Sequence, residues 1–194
     1  MTPMPTDQEI YECVHQAITD IRQDLGDRLT LDSELGEELG LESLDYVDIE
    51  FRLETTFGIE FYHGSALEKL SELLAPRQLE EDGLLTPDGA AVLRLRLPEI
   101  DPDRLRTGQP VAGIEAKFKP RTWVRVVKEL LRARPERCPS CASERLEVTK
   151  PSLLRCAGCG SELRSPDGEE CLTVWASSVP AHLEPPRAES LRAG

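Results

Sequence analysis

Two cysteine pairs, Cys138-Pro-Ser-Cys141 and Cys156-Ala-Gly-Cys159, constrain the C-terminal part of this 194-residue chain more than any other feature. Two residues between thiols let a tight turn aim both sulfurs at one tetrahedral ion. In a reducing compartment such pairs are metal ligands rather than a disulfide framework. With fourteen residues between the pairs, all four thiolates can close on a single Zn2+. Four thiolates leave no open coordination position, so the ion is structural: it stands in for a core that roughly fifty residues cannot build.

Strand-like segments flank these knuckles, Leu146 to Thr149 and Leu172 to Trp175, with Ser165-Pro166-Asp167-Gly168 reading as a turn. Together they resemble a zinc ribbon over 135–179. Cys171 reads as a buried strand residue and Cys13 as a half-buried core thiol. The segment 180–194, with Pro185 and Pro186, reads as a disordered tail.

Upstream the pattern is helical. Thr6 followed by Glu9 makes a capping box, and Ile10, Val14, Ile18, Ile21 and Leu25 recur at helical spacing up to Gly26. Leu29, Leu31, Leu35, Leu39 and Leu41, broken by Gly36 and Gly40, read as a packed loop. A second helix is expected from Ser43 to Phe57, stopped by Gly58. Short helices follow at Ala66 to Leu74 and after Thr86-Pro87-Asp88, although Leu93 to Leu97 alternates as a strand would. Pro98 to Pro110 reads as loop. A last helix runs from Arg121 to Arg132 with Thr122 as its cap.

The net charge of −13 excludes general nucleic-acid binding and attraction to anionic membranes. The charge is uneven. Asp32 to Glu60 holds ten acids against Arg52, and Lys117 to Arg137 holds eight basic residues against Glu129 and Glu136. The basic run reads as a solvated helix face that pairs with the acidic half. No stretch approaches the roughly 20 apolar residues of a membrane span, and Met1 to Gln8 has neither a basic nor an apolar leader region, so a cytoplasmic location is expected.

The second helix carries two apolar stripes. Ile49, Leu53 and Phe57 form one; Leu44, Val47 and Phe51 form another on roughly the opposite side, flanked by Asp45, Asp48, Glu50 and Glu54. An ordinary surface helix needs one stripe. Two mean burial on both sides, or a face reserved for something that comes and goes. Ser43 opens the helix beside the second stripe.

The run Leu39-Gly40-Leu41-Glu42-Ser43-Leu44-Asp45 resembles the acyl carrier protein family, whose signature is Gly-x-Asp-Ser-Leu at the start of the second helix. Glu42 stands where that family carries Asp. The resemblance implies a mainly α fold, an acyl-carrier-like helical bundle over 6–134 with an insertion at about 64–112. It implies that Ser43 carries covalent 4′-phosphopantetheine, put there by a phosphopantetheinyl transferase. Glu42, Leu44, Asp45, Val47, Asp48, Phe51 and Glu54 would then meet partners, namely acyl-transfer, ligase or condensing enzymes with basic docking patches. Such a chain is not an enzyme; it holds acyl or aminoacyl groups as thioesters for fatty-acid, polyketide or related synthesis. No histidine lies near Ser43, which argues against a serine hydrolase. His15, His63 and His182 stand apart and form no catalytic or metal constellation. Three alternatives stay open: a carrier-shaped scaffold without an arm, a zinc-ribbon regulator that binds nucleic acid through the basic run, and Ser43 as a simple helix cap.

Overall fold

The computed structural model of the chain describes residues 4–183. Residues 1–3 and 184–194, which include most of the expected tail, lie outside the described residues. The elements in order are α1 (Asp7–Ile21), a 3-10 turn (Gln23–Leu25), α2 (Ser43–Phe57), α3 (Ala66–Leu73), β1 (Glu80–Glu81), β2 (Leu84–Leu85) and α4 (Pro87–Arg96). After 3-10 turns at Pro102–Arg104 and Glu115–Lys117 come α5 (Pro120–Arg132), β3 (Leu146–Lys150), β4 (Leu153–Cys156), β5 (Glu162–Arg164) and α6 (Gly168–Ser178). A 3-10 turn at Val179–His182 closes the described chain. The class is mainly helical with a small antiparallel sheet, β3-β4-β5. Among the described residues, no helix is long and apolar enough to cross a membrane.

The chain divides into two compact units, Met1–His63 with Gly113–Cys171, and Gly64–Ala112 with Leu172–Gly194. In the first unit α1 packs on both α2 and α5. Ile10, Val14 and Ile18 of α1, Ile49 and Leu53 of α2, and Trp123, Val127 and Leu130 of α5 form the buried core. The leucine-rich stretch between α1 and α2 is the packed loop its pattern implies, with Leu25, Leu29, Leu35, Leu39 and Leu41 all buried. It is held on the segment before α5: Leu35 N–H donates to Phe118 O at 2.9 Å and Gly36 N–H to Ala116 O at 3.0 Å. The basic run does pair with the acidic half, through Lys117–Glu37 at 3.0 Å, Arg121–Asp32 at 2.8 Å and Lys128–Asp7. The Arg121–Asp32 and Lys128–Asp7 pairs lie toward solvent and each contribute little, whereas Lys117 is buried.

Local chemistry sets the helix ends. Thr6 Oγ1 accepts from Glu9 N and Glu9 Oε2 accepts from Thr6 N, the reciprocal box expected at the start of α1. Gly58 ends α2 in the left-handed region (φ 63°), its N–H returning to Glu54 O at 2.7 Å. A Cβ there would lie 2.4 Å from Val148 Cγ1. Gly58→Ala therefore combines left-handed strain with a clash, and is expected to cost about 2 kcal/mol in thermal unfolding.

The ribbon differs from expectation in its last segment. Its strands β3, β4 and β5 are antiparallel neighbours, but Leu172 to Trp175 is helical, not a strand. The segment expected to be a turn is instead the cap of α6: Asp167 Oδ1 accepts from Glu170 N at 2.9 Å and Glu170 Oε2 from Asp167 N at 3.0 Å. Leu172, Ala176 and Val179 are buried at helical spacing, and Cys171 is buried on a helix rather than a strand. The strands β3 to β5 belong to the same compact unit as α1, α2 and α5. Ser152 N–H donates to Gly58 O at 3.0 Å and Gly168 N–H to Glu60 O at 2.8 Å, so the turn between β3 and β4 and the first residue of α6 both hold the loop after α2. Thr122 is also not the residue that precedes α5: the helix starts at Pro120, one residue before the expected Arg121, and Thr122 Oγ1 accepts from Lys119 N inside the first turn.

The second unit contains the segment 64–112 that the sequence sets apart as an insertion. Asp82-Gly83, both at positive φ, turn the β1-β2 hairpin. Thr86 Oγ1 caps α4 through Gly89 N at 3.0 Å, and the helix continues to Arg96, so the alternating Leu93 to Leu97 segment is helical rather than a strand. Leu70, Leu79, Leu85, Val92, Ile100 and Leu105 are among its buried residues. Arg96 lies over the Trp175 ring, 5.2 Å from its centroid.

Candidate functional site

Two constellations carry chemistry. The first is the cysteine cluster. Cys138 and Cys156 are buried, Cys141 and Cys159 exposed, and the four sulfurs lie within 4.8 Å of one another. Cys138 Sγ is 3.7 Å from Cys159 Sγ, and Cys141 Sγ is 3.6 Å from Cys156 Sγ. Four thiolates on zinc at about 2.3 Å form a tetrahedron with edges of about 3.8 Å. These spacings match that edge and are far too long for a disulfide. The cluster could hold a metal ion such as zinc.

Both knuckles are built the same way. Cys138 N–H donates to Ser143 O and Cys156 N–H to Ser161 O, each at 2.9 Å. Ala142 N–H donates to Cys138 O and Gly160 N–H to Cys156 O, each at 2.8 Å. The fifth residue is left-handed in both, Ala142 at φ 57° and Gly160 at φ 76°. The sequence thus contains a short repeat, Cys-x-x-Cys-Ala/Gly-Ser. Ser161 supplies further help: its hydroxyl and backbone pull the Cys159 thiol down to about 6, favouring the thiolate that binds metal.

The second constellation is α2. Ser43 is exposed at the first helical position. It is not the residue that precedes and caps the helix. That place belongs to Glu42, whose N–H is taken by Asp45 Oδ2 at 2.9 Å. The two apolar stripes separate as the pattern implies. Ile49 and Leu53 are in the core, whereas Leu44 is 82% exposed, Val47 57% and Phe51 65%.

The acids divide. Glu42 is exposed beside Ser43 and Asp45 is half-buried in its capping role. Asp48 is paired with Arg52 at 3.1 Å, and Arg52 also reaches Asp20. Glu54, expected on the docking surface, is instead buried at 8% exposure. The segment Ile59–His63 folds back over it: Phe61 N–H donates to Glu54 Oε1 at 2.7 Å, and His63 Nε2 lies 3.0 Å from the same oxygen.

That fold-back also creates a cluster the sequence did not disclose. His63 Nδ1 lies 3.5 Å from Glu50 Oε2, so the imidazole sits between two carboxyls of α2. Burial pushes the Glu50 carboxyl up to about 7, against the pull of His63 and with Glu54 and Glu115 adding to the rise. Both ring nitrogens face carboxyls, which leaves none to activate a nucleophile. Nearby in the core, the Tyr46 ring packs against Trp123 and Phe118, and burial raises its phenol. No protein-family model matches the chain, and no solved structure matches it.

Proposed function

We propose that this chain is an acyl carrier protein of elaborated form, holding acyl or aminoacyl groups on 4′-phosphopantetheine at Ser43. The observation that carries the reading is the exposure of Ser43 together with Leu44, Val47 and Phe51 on one side of a helix whose other side is core. A folded chain does not leave three large apolar side chains along one helix without cost in solubility, and such a face marks a surface that is intermittently covered. Ser43 suits the attachment. Its hydroxyl stands at the positive end of α2, where orphan N–H groups and the helix dipole favour a phosphodiester. When bound, the group supplies a terminal thiol that holds the acyl cargo as a thioester. Leu44, Val47 and Phe51 offer the apolar surface that cargo or partners cover, and Glu42, Asp45 and Asp48 offer the charge that attracts basic patches on synthases, ligases or transferases.

The cysteine cluster is read as a structural zinc centre of a small ribbon. Four sulfur ligands leave no position for substrate, and the sulfur spacings fit the ion. Its strands brace the loop after α2, so the ribbon supports the face that Ser43 opens.

Intact mass tests the reading. Coexpressed with a promiscuous phosphopantetheinyl transferase, the chain should gain the mass of one phosphopantetheinyl group, and Ser43→Ala should gain none. No gain with any transferase favours the armless scaffold and removes the carrier assignment.

A further inference from the structure

We propose that Glu50, His63 and Glu54 form a proton-controlled latch that fastens the Ile59–His63 segment to the C-terminal half of α2 and loosens as protons leave it. The inference stands on the geometry of the cluster and holds whether or not Ser43 carries an arm.

Ile59 and Phe61 bury their side chains, and Glu54 Oε1 alone receives both Phe61 N–H and His63 Nε2. His63 then reaches Glu50 with its other nitrogen. Glu50 is largely enclosed, with 24% of its side chain exposed, and Glu54 more so at 10%. The groups that face Glu50 are Glu54 on its own helix, His63 from the loop and Glu115 from the turn before α5, three acids against one imidazole when Glu50 itself is counted.

Deprotonation of Glu50 weakens the arrangement. Loss of the Glu50 proton adds a negative charge beside Glu54 and Glu115 in a partly dry site. The rise of Glu50 from 4.5 to about 7 gives the direction. A carboxyl raised in the folded state contributes stability that is fully present below its ordinary value and is lost as pH climbs through about 7. The latch is therefore tight in mild acid and loose in mild alkali. Its position matters, because Glu50 adjoins Phe51 and lies one turn from Val47. The chain also passes from the first unit to the second directly after His63.

Amide hydrogen exchange of Phe61 in the zinc-replete full chain tests it. After correction for the intrinsic rate, protection of that amide should fall about tenfold between pH 6 and pH 8. Glu50→Gln should flatten the profile, and His63→Gln should lower protection across the range. A flat wild-type profile overturns the latch whatever the variants do. An unchanged slope in Glu50→Gln, or unchanged protection in His63→Gln, overturns it as well.

Discussion

Stripping the metal, or replacing Cys138 or Cys156 by Ser, should unfold β3 to β5 and take about 3 kcal/mol or more from the helices of the first unit, a fall in Tm of about 10 °C. The argument begins with how little else holds the ribbon. Its buried residues near the knuckles are Cys138, Leu154 and Cys156, with Ser152 and Ser165 beside them. Leu153 and Val148 are exposed, and β3 is exposed along nearly its whole length. Burying Leu154 contributes about 2 kcal/mol, far less than the chain entropy of ordering some thirty residues. Structural zinc contributes about 10–16 kcal/mol in small metal-folded peptides, which is the right scale to offset that entropy.

The loss should reach the helices because the sheet is their brace. Val148 lies over Gly58, Ser152 N–H holds Gly58 O, and Gly168 N–H holds Glu60 O. With β3 to β5 unfolded, the loop after α2 loses these partners. Metal analysis should give one zinc per chain in the native protein and none in either variant, with a lowered Tm by scanning calorimetry. Cys13→Ser and Cys171→Ser should keep their zinc, since neither sulfur belongs to the cluster. A native chain without zinc, or variants that retain it, would rule out the centre.

Legibility followed the range of the interaction. The cysteine cluster could be read because ligand spacing is local and four identical residues leave few alternatives. The limits of α2 could be read because Gly58 and the residues before Ser43 carry the boundary chemistry. Glu54 was misplaced because a helical wheel shows only a helix's own neighbours. Its partners, Phe61 N–H and His63, arrive by a chain reversal at Gly58. The cluster of His63 with Glu50 was hidden for the same reason. At α6 the β-branched and aromatic run through Trp175 favoured a strand, while the competing signal, Asp167 three residues before Glu170, was present in the sequence and outweighed it. The Asp82-Gly83 hairpin lacked the alternating flanks that usually announce one, since β1 is Glu80-Glu81.

The two faces of α2 predict opposite outcomes for two truncations two residues apart. Ile49→Ala should lower stability by about 3 kcal/mol, because Ile49 is fully buried among α1 and α5 and its loss leaves a cavity that helices cannot close. Phe51→Ala removes a larger side chain yet should change stability by less than about 0.5 kcal/mol, because that ring already faces water. Its energy is realised only when something covers it. Covering a phenyl ring contributes about 2 kcal/mol, so Phe51→Ala should reduce kcat/KM for loading of Ser43, or for a later transfer, roughly thirtyfold. Denaturant unfolding and loading kinetics on the same two variants check both halves. If Phe51→Ala unfolds as readily as Ile49→Ala, the ring belongs to the core. If it alters neither stability nor any loading or transfer rate, the exposed stripe docks nothing, and the exposure of Leu44, Val47 and Phe51 loses its functional meaning.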